Sequence, residues 1–364
     1  IKKRIVFSTL LLLIGMVFFN ACKEKKTEEA VTEKLPKEKS LPTQPFSEFL
    51  EAYENQRLDF YPLEATQLGK SEYNNKLPID ISRDFRVKLA GFYRSVLNKL
   101  NKYPKKQLAD SEQTSFEVLK WECEIKLEKL KFKTHLIPIN QFSCLPLTMG
   151  QLASGKGTQP FKNVKDYDNW TKRLKAYTVW IDTAIANMNR GISQGYVLPK
   201  ALAVKVLPQL EEMANTPFDQ HLFYSPINNF PNSMGRADRG YQEMSFKMVL
   251  SRDLIPAFTR LRDFFKTVYL PACRTEIGVT NNPDGMAYYN HQIKKFTTTS
   301  LTADEIYEIG QQEVVKLLAE MEKVKAQVNY KGSLLSFFDH VRNRKQLMPF
   351  TKPEQVIAHF NAIH

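Results

Sequence analysis

The spacing of apolar residues constrains the fold most, because from Phe46 onward they recur every three or four positions. This spacing is the period of an α-helix with one buried face. It is clearest over residues 166–192 and 302–328, and Thr302 with Glu305 forms a capping box before the second segment. That segment is expected to bury one stripe, made of Ile306, Ile309, Leu317, Met321, Val324 and Val328. We predict a mainly α, multi-helix domain with at most short β segments.

Weaker signals place further helices along the chain. Asp110 with Gln113 resembles a capping box, Pro199 is expected to open a helix, and Thr351 with Glu354 is expected to cap a last one. Connectors rich in Pro and Gly are expected to hold any short strands, over residues 137–160, 218–235 and 270–285. The chain begins with Ile, and its last predicted helix still runs at His364. We therefore expect the domain to be incomplete at its carboxyl terminus.

The first 22 residues have the pattern of an export signal. Lys2, Lys3 and Arg4 precede 15 mostly apolar residues, Ile5 to Phe19. A membrane-spanning helix needs about 20 apolar residues, whereas this run has the length of a signal-peptide core. Ala21 before Cys22 resembles the lipobox of bacterial lipoproteins, although Phe19 and Asn20 are atypical. We predict a lipoprotein signal peptide at 1–21 and lipidation of Cys22, with an ordinary secretory signal as the alternative.

A low-complexity Lys/Glu/Thr/Pro segment follows and is interpreted as a lipidated tether over residues 22–45, before a helical domain at 46–364. Two or three acyl chains hold a protein firmly on a membrane. We therefore expect the bacterial cell envelope, at the outer membrane, with the membrane as a partner through the lipid anchor.

The charge does not point to nucleic acid. The net charge is +13, but Lys and Arg are scattered and often interleaved with Glu, as in Glu122 to Lys133. No nucleic-acid-binding motif accompanies them, so we predict no nucleic-acid partner. Three cysteines follow Cys22. Cys123 falls on a helical apolar face and is expected to be buried, while the sequence leaves open whether Cys144 and Cys273 pair.

The familiar catalytic motifs are missing or incomplete. Gly150, Gly155 and Lys156 match the start of a phosphate-binding loop, but Gly157 replaces the required Ser or Thr and Pro160 opposes a following helix. None of the six histidines lies in an HExxH pattern, and GxSxG does not occur. We therefore assign no catalytic residue and no metal ligand in this chain.

One cluster before the 302–328 helix is a candidate cleft wall. Residues 284–299 combine turn residues, two tyrosines, a histidine and three adjacent threonines. Tyr288, His291 and Thr298 are the possible cleft-lining residues. The alternative is a packed loop whose threonine hydroxyls cap a helix.

Several segments resemble the bacterial family called domain of unknown function 885. They include MGQLASGKGTQPF, DYDNWTKRL, NRGISQGYVLPKAL, PDGMAYYNHQIKKFTTTSLTADEIYEIGQQEV and MPFTKPEQVI. The resemblance runs from about Phe46 to the end and implies a longer protein, with an HExxPGH-type zinc motif on a later helix and a cleft between two halves. By this resemblance zinc belongs to the full-length protein, and Tyr288, His291 and Thr298 would orient a peptide or stabilise an oxyanion.

Two functions remain open from the sequence. The first is the amino-terminal half of a membrane-anchored, zinc-dependent, peptidase-like lipoprotein, inactive without its carboxyl-terminal half and acting on a peptide substrate. The second is a non-enzymatic helical envelope lipoprotein that binds or scaffolds.

Overall fold

A computed structural model describes residues 44–363. The predicted signal peptide, the lipidation site Cys22 and tether residues 22–43 lie outside the described residues, as does His364. These assignments therefore remain predictions.

The described chain is mainly α, as the sequence predicts. Its α-helices, in chain order, are α1 (Phe46–Phe60), α2 (Pro62–Gln67), α3 (Arg83–Leu100), α4 (Asp110–Lys129), α5 (Leu145–Ala153), α6 (Val164–Ser193), α7 (Lys200–Asn215), α8 (Arg236–Val249), α9 (Ile255–Phe264), α10 (Gly285–Thr297), α11 (Ala303–Gln327), α12 (Leu334–Arg342) and α13 (Pro353–Ile363). Two π-helical turns, Leu250–Leu254 and Phe265–Tyr269, flank α9.

Extended structure is minimal between residues 44 and 363, where one isolated parallel bridge joins Pro199 to Arg274. Two of the three connectors expected to hold strands contain other elements instead. The first contains α5, and the second contains a 3₁₀ helix, Leu222–Asn229. The third, residues 270–285, contains Arg274 of the bridge. Gly150 lies inside α5, so the partial phosphate-loop motif begins within a helix rather than ahead of one.

Helix α6 forms the centre of the larger hydrophobic core, which we call the α6 cluster. Its apolar side chains recur at helical spacing, and Trp170, Leu174, Tyr177, Ile181, Ala184 and Met188 are fully or almost fully buried. Asn163 caps the helix by accepting a hydrogen bond from the Asp166 N–H, and Gly195 follows its end with φ of +74°. Helices α7, α8 and α9 pack around it.

A second, aromatic cluster is built by α1, α3 and α4 and is rich in Phe and Tyr side chains. The predicted stripe of α4 lies there, with Phe116, Leu119 and Cys123 buried. The predicted cap is wrong in detail. Glu112 Oε2 accepts from the Ala109 N–H, whereas Gln113 donates to the Leu108 carbonyl.

A buried arginine ties the amino-terminal segment to α6. Arg173 is fully buried and donates to the carbonyls of Lys76 (3.1 Å) and Tyr73 (2.6 Å), to Thr66 Oγ1 (2.9 Å) and to Gln159 Oε1. Its acceptors are neutral oxygens. Burial accordingly lowers the pKa of Arg173 to about 10.

Helix α11 forms where predicted, with its capping box, but the expectation that its stripe is buried is wrong for the described chain. Ile309, Leu317, Met321, Val324 and Val328 are between 39% and 58% exposed. The main packing contact of α11 is with α12. The apolar period identifies the face that favours burial, but it does not supply the surface that covers it. Within residues 44–363, no helix is long and apolar enough to cross a membrane.

Candidate functional site

The three predicted cleft residues lie on or next to α10. Tyr288 and His291 are in the helix, and Thr298 follows its last residue in the left-handed conformation, with φ of 56°. The Thr298 N–H donates to the Lys294 carbonyl and so closes the helix end. At the other end, a Cβ on Gly285 would lie 2.3 Å from the Val279 carbonyl oxygen. Only glycine fits there, which fixes where α10 begins.

His291 and Thr298 line the same cavity, of about 550 Å³, between α4, α10 and the loop that leads to α11. We call it the His291 cavity. His291 is only 2% exposed. Its Nδ1 lies 3.3 Å from Glu128 Oε1, yet neither ring nitrogen has a hydrogen bond of acceptable geometry. The contact with Glu128 is therefore electrostatic rather than an aligned hydrogen bond.

Lys294 completes this charged group from the next turn of α10. Its Nζ lies 2.9 Å from Glu128 Oε2 and 5.4 Å from the centre of the Trp121 ring. Burial alone would raise the pKa of Glu128, but the contacts with Lys294 and His291 hold this pKa below its usual value. Burial lowers the pKa of His291, and the nearby Glu128 only partly opposes that effect. At neutral pH the site therefore contains a neutral imidazole beside a carboxylate paired with an ammonium group.

The loop between α10 and α11 satisfies many of its own hydroxyl groups. Thr297 Oγ1 lies 2.9 Å from Thr299 Oγ1, and the Thr298 hydroxyl donates to the Thr297 carbonyl. Thr302 caps α11 by accepting from the Glu305 N–H. These contacts are those expected of a packed, helix-capping loop. The unsatisfied group of the cavity is therefore His291 rather than the threonines.

Tyr288 lines a neighbouring cavity of about 350 Å³ instead. The Phe132 ring packs against both residues, with its centre 5.4 Å from that of Tyr288 and 5.2 Å from that of His291. In the second cavity the Tyr196 hydroxyl donates to Asp284 Oδ2. Burial, reinforced by this carboxylate, raises the pKa of Tyr196 to about 12. The structure thus brings two of the three predicted residues into one cavity and the third next to it.

The described residues do not fit a zinc centre. Among residues 44–363, no group of three or more His, Cys, Asp or Glu side chains is placed to hold a metal ion. The His291 cavity offers one imidazole and one carboxylate, and Lys294 already pairs with that carboxylate. A zinc site needs at least three protein ligands. The donor set of the His291 cavity is therefore too small to hold zinc by itself.

His221 and the three cysteines of the described chain have structural surroundings. His221 Nε2 lies 3.0 Å from the Met213 carbonyl, and its Nδ1 accepts from the Phe223 N–H, so both nitrogens of the neutral ring are satisfied. Cys123, Cys144 and Cys273 are free thiols, and Cys123 is buried as predicted. The pairing that the sequence left open between Cys144 and Cys273 is not present.

Sequence reasoning missed Glu128 and Lys294. His291 and Lys294 are three residues apart and share a helix face, so Lys294 was within reach of the helical pattern. Glu128 precedes His291 by more than 160 positions, and only the packing of α4 against α10 brings it near. No local signal points to that contact.

The chain is similar to one protein family and to a solved structure. A family model described as "Bacterial protein of unknown function (DUF885)" matches residues 62–364. The crystal structure of "the putative lipoprotein from Colwellia psychrerythraea" is similar in fold, with a TM-score of 0.62 and 16% sequence identity. The match covers 83% of this chain and 54% of that one, so this chain spans about half the length of the solved relative. No curated protein matches.

Proposed function

Because the chain belongs to the DUF885 family of bacterial proteins, we propose that it is the amino-terminal, peptide-binding part of a lipid-anchored, peptidase-like envelope protein. The zinc ligands of that protein lie in a part that this chain does not include. The observation that carries the proposal is the buried, unsatisfied imidazole of His291 in a cavity beside Glu128 and Lys294.

The His291 cavity has the chemistry to bind a peptide group. A neutral imidazole has one donor and one acceptor nitrogen. Nδ1 of His291 faces Glu128, so Nε2 is the atom that would pair with the carbonyl or the N–H of a peptide bond. An unsatisfied buried polar group costs about 1–3 kcal/mol, so a ligand that supplies the missing partner gains binding energy. Lys294 and Asn290 add further polar groups to the same wall.

The exposed stripe of α11 supports the existence of a further part of the protein. Apolar residues at helical spacing are normally buried, and a long exposed stripe marks an interaction surface. The solved relative is almost twice as long as the region that it shares with this chain. We propose that the carboxyl-terminal half packs on α11 and brings the zinc site towards the His291 cavity.

The sequence pattern of residues 1–22 supports lipid anchoring at the envelope, and the solved relative is itself described as a lipoprotein. Detergent phase partition tests this part of the proposal. The mature protein should enter the detergent phase, and Cys22→Ala should move it to the aqueous phase. Equal partition of both forms would contradict the anchor.

Metal analysis and peptide-library cleavage test the peptidase part. The extended protein, which is this chain together with the proposed carboxyl-terminal half, should bind zinc and cleave peptides. The present chain should do neither. In the extended protein, His291→Ala should lower kcat/KM about tenfold, as loss of a hydrogen bond to substrate does. Unchanged hydrolysis in His291→Ala, Tyr288→Ala and Thr298→Ala would end the cleft assignment. Peptide binding without cleavage by the extended protein would favour the non-enzymatic alternative.

A further inference from the structure

A cavity of about 440 Å³ lies where the aromatic cluster meets the α6 cluster. Its walls are largely apolar and include Phe60, Phe85 and Leu89 from the aromatic cluster and Leu63, Leu77 and Leu145 from the α6 cluster. Pockets of this size hold small organic ligands, and a few polar groups then fix the ligand's orientation. We call it the Arg86 cavity, after the guanidinium on its wall.

Positive charge dominates the polar part of the Arg86 cavity. Arg86, Lys126 and Lys129 line it, together with the carboxylates of Glu64 and Asp80. Arg57 Nη1 donates to Glu64 Oε2 at 2.9 Å, but Arg57 is shared with Glu54, whose Oε2 lies 2.8 Å from Arg57 Nε. Within residues 44–363, none of the three cations of the cavity has a carboxylate oxygen within 4.0 Å. Three cations therefore face two carboxylates, and one of these, Glu64, shares Arg57 with Glu54.

The geometry holds two of the groups in place. Arg86 Nη2 donates to the carbonyls of Leu130 (2.7 Å) and Phe132 (3.0 Å), which fixes the guanidinium at the end of α4. Asp80 Oδ1 accepts from Trp180 Nε1 at 2.7 Å, which holds that carboxylate towards the α6 cluster. Within the described chain, Lys126 and Lys129 lie one turn apart on α4 without a carboxylate partner, and Lys126 Nζ lies 5.3 Å from the centre of the Tyr61 ring.

His135 provides an unsatisfied polar atom on the same wall. Its Nδ1 is buried and has no hydrogen-bond partner. Burial, with Arg86, Arg190 and Lys133 nearby, lowers the pKa of His135 to about 4. Desolvation also lowers the pKa of Lys129; the charges of Lys295 and Lys126 act in the same direction, and the carboxylate of Asp80 opposes them. The positive charges of these side chains repel one another, and a bound anion between them would stabilise their protonated forms.

We propose that the Arg86 cavity binds an organic monocarboxylate whose charge is carried on an apolar or aromatic body. Its carboxylate faces Lys126, Lys129 and Arg86, and its apolar body fills the space between the two clusters. The apolar walls and the carboxylates of Asp80 and Glu64 favour a ligand with one negative charge over a phosphate with two. This site is separate from the His291 cavity and does not depend on the peptidase assignment.

Titration calorimetry on purified protein carrying Cys22→Ala tests the proposal. 3-Phenylpropionate should bind, and the neutral 3-phenylpropanol should bind at least about tenfold more weakly because it lacks the charge. Acetate should also bind more weakly because it lacks the apolar body. A tripeptide ending in Phe, compared with its carboxyl-terminal amide, distinguishes a peptide end from a free organic acid as the source of the carboxylate.

The variant Lys126→Met/Lys129→Met should lose at least about tenfold in affinity for 3-phenylpropionate. Lys88→Met/Lys131→Met is the matched control, because it removes the same charge from exposed positions outside the cavity. It should bind as the parent protein does. Equal loss in both variants, equal binding of the acid and the alcohol, tighter binding of inorganic phosphate, or no binding of the acid at millimolar concentration would overturn the proposal.

Discussion

His291 Nδ1 lies 3.3 Å from Glu128 Oε1, and burial keeps the imidazole largely neutral although this carboxylate favours its protonated form. The pair joins α10 to α4, two helices far apart in sequence. It also places the buried imidazole, whose nitrogens have no aligned hydrogen bond, in the wall of the His291 cavity.

Glu128→Gln should lower the pKa of His291, because the negative charge that opposes the burial effect is removed. The imidazole proton resonances, followed by NMR from pH 4 to 8, measure this pKa. Glu124→Gln, an exposed change on the same helix, should leave the titration unaltered. A raised or unchanged pKa in Glu128→Gln would show that the two side chains do not interact in solution.

Stability should fall as the pH is lowered, in part through His135. Its pKa in the folded protein, about 4, is lower than the usual 6.5, so the unfolded chain binds more protons between these values. With allowance for partial solvent exposure, we expect this residue to cost about 1–2 kcal/mol between pH 7 and pH 4. The free energy of unfolding, measured with urea across that range, should depend less on pH in His135→Gln than in the parent protein. His340→Gln, at an exposed ring, should keep the parent slope.

Arg173→Lys should destabilise the protein by about 2–4 kcal/mol, because lysine has three donors and cannot satisfy all the buried oxygens that Arg173 serves. Chemical denaturation measures the change. Arg260→Lys is the surface control. It alters an ion pair to Asp182 in which both side chains are about half exposed, and should change stability by less than about 1 kcal/mol. If both variants changed stability by less than about 1 kcal/mol, the hydrogen bonds of Arg173 would contribute little to the stability of the fold.

Gly285→Ala should destabilise the protein by about 1–3 kcal/mol, because the new methyl group would overlap the backbone of Val279 and Thr280. Gly240→Ala tests the opposite case in an open helical position, where a Cβ meets nothing within 4 Å. It should stabilise by about 0.5–1 kcal/mol through helix propensity. Thermal denaturation of both variants measures these changes. An unchanged melting temperature in Gly285→Ala would mean that the turn before α10 can shift to accommodate a methyl group.

The stripe of α11 should bind hydrophobic dyes in the isolated chain. Leu317→Lys/Val324→Lys should reduce fluorescence of 8-anilinonaphthalene-1-sulfonate without lowering the melting temperature, because both side chains are almost half exposed. Val87→Lys, at a single exposed apolar residue on α3, should leave the fluorescence unchanged. A melting temperature several degrees lower in the double variant would show that the stripe is packed in this chain.

The sequence predicted the helices better than it predicted their surroundings. The spacing of three and four residues located α4, α6 and α11, because this pattern is local and does not depend on which other elements pack against the helix. Burial followed for Trp170 and Cys123 but not for Leu317, because burial also depends on a second surface. The cap of α4 was misplaced by one residue, since Glu112 and Gln113 are both able to reach back to the chain before the helix.

The site was predicted in part for the same reason. Tyr288, His291 and Thr298 lie within eleven positions, so a cluster in the sequence became a cluster in space. Glu128 and the Arg86 cavity arise from contacts between segments distant in the chain. Spacing alone does not encode such contacts.

The bonds of Arg173 also set an order for biosynthesis. Its guanidinium serves acceptors 97, 100 and 107 positions earlier in the chain. At ~5–20 residues per second, a ribosome takes roughly 5–20 s to add that stretch. Thr66, Tyr73 and Lys76 lack their eventual donor until then, so the amino-terminal segment cannot complete its buried hydrogen bonds before α6 has been synthesised.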